Sequence, residues 1–199
     1  MRILIKNIKK LINVREESPL SPLRGEELSH LPTIDKGYLL IEDGVITQYG
    51  VSSPEILQLL EGSADKVLEA QGKMVFPSYC DSHTHLVYAG SREIEFMDKI
   101  RGLSYQEIAR RGGGILNSVD LLHRTSENDL LAQTKERAEE IIGFGTGAVE
   151  IKSGYGLSLE DEIKMLRVAK RVEEETPLTV KRTFLGAHAV PARYKGAKG

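Results

Sequence analysis

The chain has 199 residues, 28% of them charged and 40% hydrophobic, with a formal net charge of −2. That is room for one large domain, or a domain and a half, and the balanced charge without a basic block argues against a nucleic-acid or membrane-surface partner. A single cysteine, Cys80, excludes an intrachain disulfide and fits a reducing compartment.

The opening MRILIKNIKKLINV interrupts its apolar residues with Lys and Asn. It therefore reads neither as a signal peptide nor as a membrane span, and a cytoplasmic protein is expected. Residues 3–14, rich in Ile, Leu and Val, predict a strand. Residues 15–36 hold three prolines among Ser, Gly and Glu and read as a long loop. YLLIE, Asp43-Gly44 and VITQY then make a hairpin, because both turn positions demand positive φ. Pro54 to Leu60 suits one or two helical turns, and Lys66 to Ala70 a short strand. Residues 1–72 thus form a small β unit without evident chemistry.

From Lys73 the pattern becomes strand, loop, helix. Val75 to Gly90, VFPSYCDSHTHLVYAG, reads as a buried strand emptying into a cleft. Strand side chains alternate faces, so His83 and His85 point the same way, as do Tyr79 and Asp81, and the two imidazoles can converge on one metal ion. A His-x-His pair also arises by chance on a sheet face. The apolar run before it, Asp81 and the glycine behind it favour the metal. Cys80, of opposite parity, is expected to pack against the wall of the fold.

Ser104 with Glu107 makes a capping box for a short helix stopping at Gly112-Gly113-Gly114. Ser126 caps a long helix to about Ile142, with Leu130, Leu131, Ala138, Ile141 and Ile142 as its apolar side. AVEIKSG (148–154) predicts a buried strand. Ser158 with Asp161 caps the next helix, where Met165, Val168, Ala169 and Val172 recur at helical spacing. Pro177 ends that helix, and residues 178–190 predict a third strand.

Alternating strands and helices argue for βαβ units and a parallel sheet. Each of the three strands runs into polar or Gly-rich residues: His83 and His85, Lys152 to Tyr155, and His188. In a (β/α) barrel, active sites sit at that C-terminal end. His188 gains interest from this company. Lys152 is either a charge-stabilising or metal-bridging group, or a lysine extending its amine from a strand end. Arg92 is a carboxylate anchor or an ordinary surface residue. The triple glycine lacks the spacing of a dinucleotide site.

A small β unit followed by a strand ending in His-x-His resembles the amidohydrolase superfamily of metal-dependent hydrolases. Four stretches, PSYCDSHTHLVYAGSREIEF, RGGGI, EIKSGYGL and TFLGAHAVP, narrow the resemblance to its imidazolonepropionase family. The resemblance implies a TIM barrel opening the ring of 4-imidazolone-5-propanoate to N-formimidoyl-L-glutamate in histidine degradation. It implies His83 and His85 as ligands of one Zn2+ or Fe3+ ion. It implies Arg92 on the propionate, Tyr155 and His188 in contact with the substrate, and His188 as the catalytic residue polarising the ring carbonyl. The partner is then a small molecule, with no nucleic acid or membrane, and the full-length enzyme is expected as a homodimer.

A full barrel takes about 250 residues, and residues 73–199 supply about three of its eight strands. The expectation is therefore an α/β chain with an incomplete TIM barrel preceded by a β-sandwich-like unit at 1–72. It would be the N-terminal part of a longer enzyme, inactive alone, and the family's remaining ligands and general acid/base would lie downstream. The alternatives are another cyclic amidohydrolase or a deaminase on the same barrel, or an inactive fragment serving as an interaction module.

Overall fold

The structure, a computed structural model, describes residues 1–15, 22–91, 93–110, 115–186 and 188–189. Arg92 and Gly112 to Gly114, both singled out above, lie outside the described residues. The chain divides into two compact units, Met1–Pro77 and Ser78–Gly199.

The first unit is built on β1 (Arg2–Ile12), β2 (Thr33–Glu42), β3 (Val45–Val51), α1 (Pro54–Glu61), β4 (Lys66–Glu69) and β5 (Met74–Val75). The sandwich expectation is corrected here. These strands form one mixed sheet in the order β3-β2-β1-β4, with β5 also pairing parallel with β1. The Asp43-Gly44 hairpin forms as expected, with φ of 48° and 84° at the two turn residues. Residues 15–36 are not all loop: a 3-10 turn spans Gly25–Ser29, and β2 starts at Thr33.

A bulge gives the sheet two apolar faces. Between Ile5 and Ile8 the β1 register slips, and Asn7 takes φ 55°. One extra residue inverts the alternation. Leu4 therefore packs with Leu40 and Leu60 of α1, whereas Ile5, Ile8 and Leu11 join Leu39 and Ala70.

The second unit contains β6 (Tyr79–Thr84), α2 (Glu93–Ile100), α3 (Tyr105–Arg110), α4 (Ile115–Arg124), α5 (Glu127–Gly143), β7 (Thr146–Lys152), α6 (Leu159–Glu175) and β8 (Thr179–Thr183). The three strands are parallel, in the order β6-β7-β8. Helices α3, α5 and α6 begin where their caps predict, whereas α2 and α4 were not foreseen. Ser104 and Glu107 exchange hydrogen bonds, Ser126 Oγ accepts from Asp129 N at 3.1 Å, and Ser158 Oγ accepts from Asp161 N at 3.1 Å. Each cap satisfies an amide that the first helical turn leaves without a partner.

Leu130 and Ala138 of α5 and Met165, Val168, Ala169 and Val172 of α6 are buried against Val149, Ile151 and Val180 of the sheet. Full burial of a Leu or Met side chain contributes roughly 1.5–3 kcal/mol. Alternation along β7 sends Val149 and Ile151 to the helices, which leaves Glu150 and Lys152 on the other face.

Three expectations need correction. The strand carrying the histidines begins at Tyr79, not Val75: Val75 belongs to β5 of the first unit, and Pro77, without an amide hydrogen, lies between. That strand is not buried. Among the described residues it borders β7 alone, and Tyr79 is 65% exposed and Cys80 is exposed rather than packed on a wall. The third strand is shorter than 178–190, ending at Thr183.

Candidate active site

The C-terminal ends of the three parallel strands bring four rings together. His83 ends β6 within its last two residues, and His85 follows the strand. Their ring centroids lie 5.7 Å apart, so the pair shares one side as the spacing predicts. The alternation is not regular, however. A register shift between Asp81 and Thr84 places a bulge under the pair, and Asp81 Oδ1 accepts the His83 amide at 3.1 Å. Asp81 thus folds back onto its own strand.

Tyr155, from the turn after β7, meets His85 edge-on at 4.8 Å. His188, five residues beyond the end of β8, lies 4.9 Å from His85 and 5.4 Å from Tyr155. Tyr155 lies 70 residues and His188 103 residues beyond His85, and the parallel pairing of β6, β7 and β8 brings them together.

His85 is the electrostatic centre of this group. Burial pushes its pKa below the usual imidazole value, and the neighbouring His188 and His83 push in the same direction. A bond to the Lys152 backbone opposes them without reversing the sign. The ring is thus held neutral, the form with a free lone pair for a metal. Its Nδ1 is buried and makes no hydrogen bond among the described residues. Two imidazoles on one side of a strand end, that of His85 held neutral, fit an ion as two of its ligands. Among the described residues no group of three or more His, Cys, Asp or Glu side chains is placed to complete the set.

Lys152 has a partner of its own. Its ammonium donates to Glu150 Oε1, two residues back on the same face, and Thr183 Oγ1 donates to the same oxygen at 2.6 Å. The ammonium bond first, and the hydroxyl next, hold the Glu150 carboxyl below the usual range. Sequence reading passed over Glu150. The available signal was a carboxylate in the middle of the apolar strand TGAVEIK.

A cavity of about 290 Å³ opens beside the rings, lined by His85, Tyr155, Tyr88, Ser91 and Ser118 among others. The segment after β6 that forms its wall is gripped by α5. Arg137 lies 3.5 Å over the Tyr88 ring and donates to Leu86 O, and Gln133 accepts from Gly90 N.

Glycine makes the convergence possible at one point. Gly154 has φ +123°, and a Cβ there would lie 2.7 Å from His188 Cβ. Only a residue without a side chain lets His188 come so close.

No protein-family model matches the chain. Imidazolonepropionase of Flavobacterium johnsoniae is 52% identical over 198 residues, covering 100% of this chain and 47% of that protein. The enzyme of the same name from Christiangramia forsetii is 53% identical over 197 residues, 98% of this chain and 46% of its own length. Among solved structures, an atrazine chlorohydrolase from Arthrobacter aurescens complexed with zinc and atraton is similar at 12% identity. Its TM-score is 0.55, over 90% of this chain and 35% of that one. Guanine deaminase of E. coli gives 15% identity and a TM-score of 0.53, over 96% and 38% of the two chains. At such identities these structures speak for the fold alone. The chain spans about half the length of the curated relatives it matches. Over its full length it is homologous to the imidazolonepropionases, as a partial segment of them.

Proposed function

We propose that this chain is the N-terminal part of an imidazolonepropionase, the first strands of a metal-dependent (β/α) barrel that hydrolyses 4-imidazolone-5-propanoate to N-formimidoyl-L-glutamate in the cytoplasm. The observation that carries the reading is the convergence of His83, His85, Tyr155 and His188 at the ends of three parallel strands. Whole-chain identity of 52% to an imidazolonepropionase supports the substrate.

His83 and His85 would hold one zinc or iron ion, whose neutral-imidazole requirement agrees with the depressed pKa of His85. A bound ion supplies Lewis-acid activation of water for attack on the ring carbonyl. His188, exposed beside His85 and Tyr155, is the group to polarise that carbonyl and hold negative charge developing on its oxygen. Tyr155, fixed edge-on to His85, orients the ring of the substrate. Arg92 would meet the propionate, since a planar guanidinium binds a carboxylate through two parallel hydrogen bonds.

The test is turnover of 4-imidazolone-5-propanoate by the full-length protein that carries this chain, before and after chelation. Arg92→Ala should raise KM about tenfold to a hundredfold with little rescue by Arg92→Lys. That range corresponds to the roughly 1.5–3 kcal/mol carried by hydrogen bonds to charged groups. An unchanged KM would return Arg92 to the surface, and absence of turnover with metal loaded would end the reading.

A further inference from the structure

We propose that Glu162, on the first turn of α6, is the positioning residue that holds Tyr155 against His85; its effect on catalysis rests on the function proposed above. Glu162 is only 2% exposed, an unusual state for a carboxylate at a helix start that could turn to solvent. Its side chain instead folds back over the turn after β7. Oε1 accepts the amides of Gly156 at 2.8 Å and Leu157 at 3.1 Å. Oε2 is buried and makes no hydrogen bond among the described residues. Burying a carboxylate with one oxygen unengaged costs stability, so a turn that needed only to connect β7 with α6 would not retain it.

The turn itself is strained where Glu162 grips it. Leu157 has φ +51°, a left-handed conformation that a branched side chain rarely takes. Backbone in such regions persists when its surroundings over-determine it, and it concentrates at functional sites. Gly156 completes the lock, since a Cβ there would lie 2.5 Å from Glu162 N. On the other side, Ser153 is pinned to the strand end. Its amide donates to Thr183 O, and its Oγ accepts from Leu185 N at 2.9 Å. Tyr155 sits midway between Ser153 and Leu157, so its ring direction follows from two anchors. Ser153 ties it to the strand that leads to His188, and Glu162 ties it to the helix.

The test uses the chain with 13C-labelled tyrosine rings, in which the Tyr155 signal is one of seven. Glu162→Ala should shift the Tyr155 ring signal and leave the other six in place. Glu162→Gln, which keeps a carbonyl acceptor for both amides, should leave Tyr155 where it is. Met165→Ala, on the same helix and fully buried, lowers stability without touching the turn and should not move Tyr155. If Glu162→Ala does not fold, Glu162→Asp withdraws the carboxylate by one methylene and should give the same shift. A Tyr155 signal unmoved by loss of the acceptor, or moved equally by Met165→Ala, overturns the proposal.

In the full-length enzyme, Glu162→Ala should raise KM at least fivefold. In a Tyr155→Ala background the same change should add less than twofold, because its route to the substrate is gone. Full additivity overturns positioning through Tyr155. A shifted Tyr155 signal with unchanged KM upholds the hold on the ring and removes Tyr155 from the proposed substrate contacts.

Discussion

Gly154→Ala should uncouple the candidate site from its scaffold, and its cost can be worked from the geometry. At φ +123° an alanine occupies backbone that L-residues avoid, at roughly 1–3 kcal/mol. The new Cβ would also lie 2.7 Å from His188 Cβ, closer than two carbon atoms tolerate, and 3.1 Å from Leu185 O, a tight contact. Relief of such overpacking costs a further ~1–3 kcal/mol. The sum is about 2–6 kcal/mol. With a urea m-value of about 2 kcal/mol/M the unfolding midpoint should fall by about 1–3 M. The assay is urea unfolding at low micromolar concentration, followed by circular dichroism. Gly143→Ala is the matched control in the same unit. It closes α5 with open space around its Cβ, and a helical Gly-to-Ala change is worth roughly 0.5–1 kcal/mol in the stabilising direction. A Gly154→Ala midpoint within about 0.3 M of the parent, or equal losses at both glycines, would refute the reasoning.

Two further outcomes follow from side chains and sheet edges. Burial raises the pKa of Asp161, but hydrogen bonds from His123, Ser158 and Lys164 outweigh it and hold the carboxyl below its ordinary range. A folded pKa below the unfolded value of about 3.9 contributes stability that is complete above that value and lost as pH falls through the folded pKa. Asp161→Asn should therefore be less stable than the parent at pH 7, with the gap closing below about pH 4; a gap that persists at pH 2.5 would sink the idea. The isolated chain should self-associate, because among the described residues β6 and β8 have a partner strand on one side only, and Tyr79 and Phe184 are exposed. Sedimentation showing a clean monomer at tens of micromolar would contradict this.

What was legible in the sequence acts over short range. Ser126 and Ser158 announce their helices because a cap and its amide are three residues apart. Asp43-Gly44 announces its hairpin because positive φ is a property of the two turn residues themselves. His83 and His85 announce a shared side through strand alternation, and even the bulge beneath them leaves the rings together. The α6 core positions followed from a helical period that needs no knowledge of what they face.

What only the tertiary structure decided depends on neighbours far along the chain. Whether the Tyr79–Thr84 strand is buried depends on what flanks it, and with β7 alone beside it among the described residues the strand is exposed. The way the first unit's sheet divides its apolar residues between two faces turns on one extra residue at Asn7, which no composition rule marks. Glu150 meets Thr183, and Glu162 meets the turn of Tyr155, through packing that alternation and capping rules do not describe. The ring cluster is the clearest case. His85, Tyr155 and His188 each look ordinary in their own segment, and they become a site because parallel pairing aligns three strand ends on one side of the sheet.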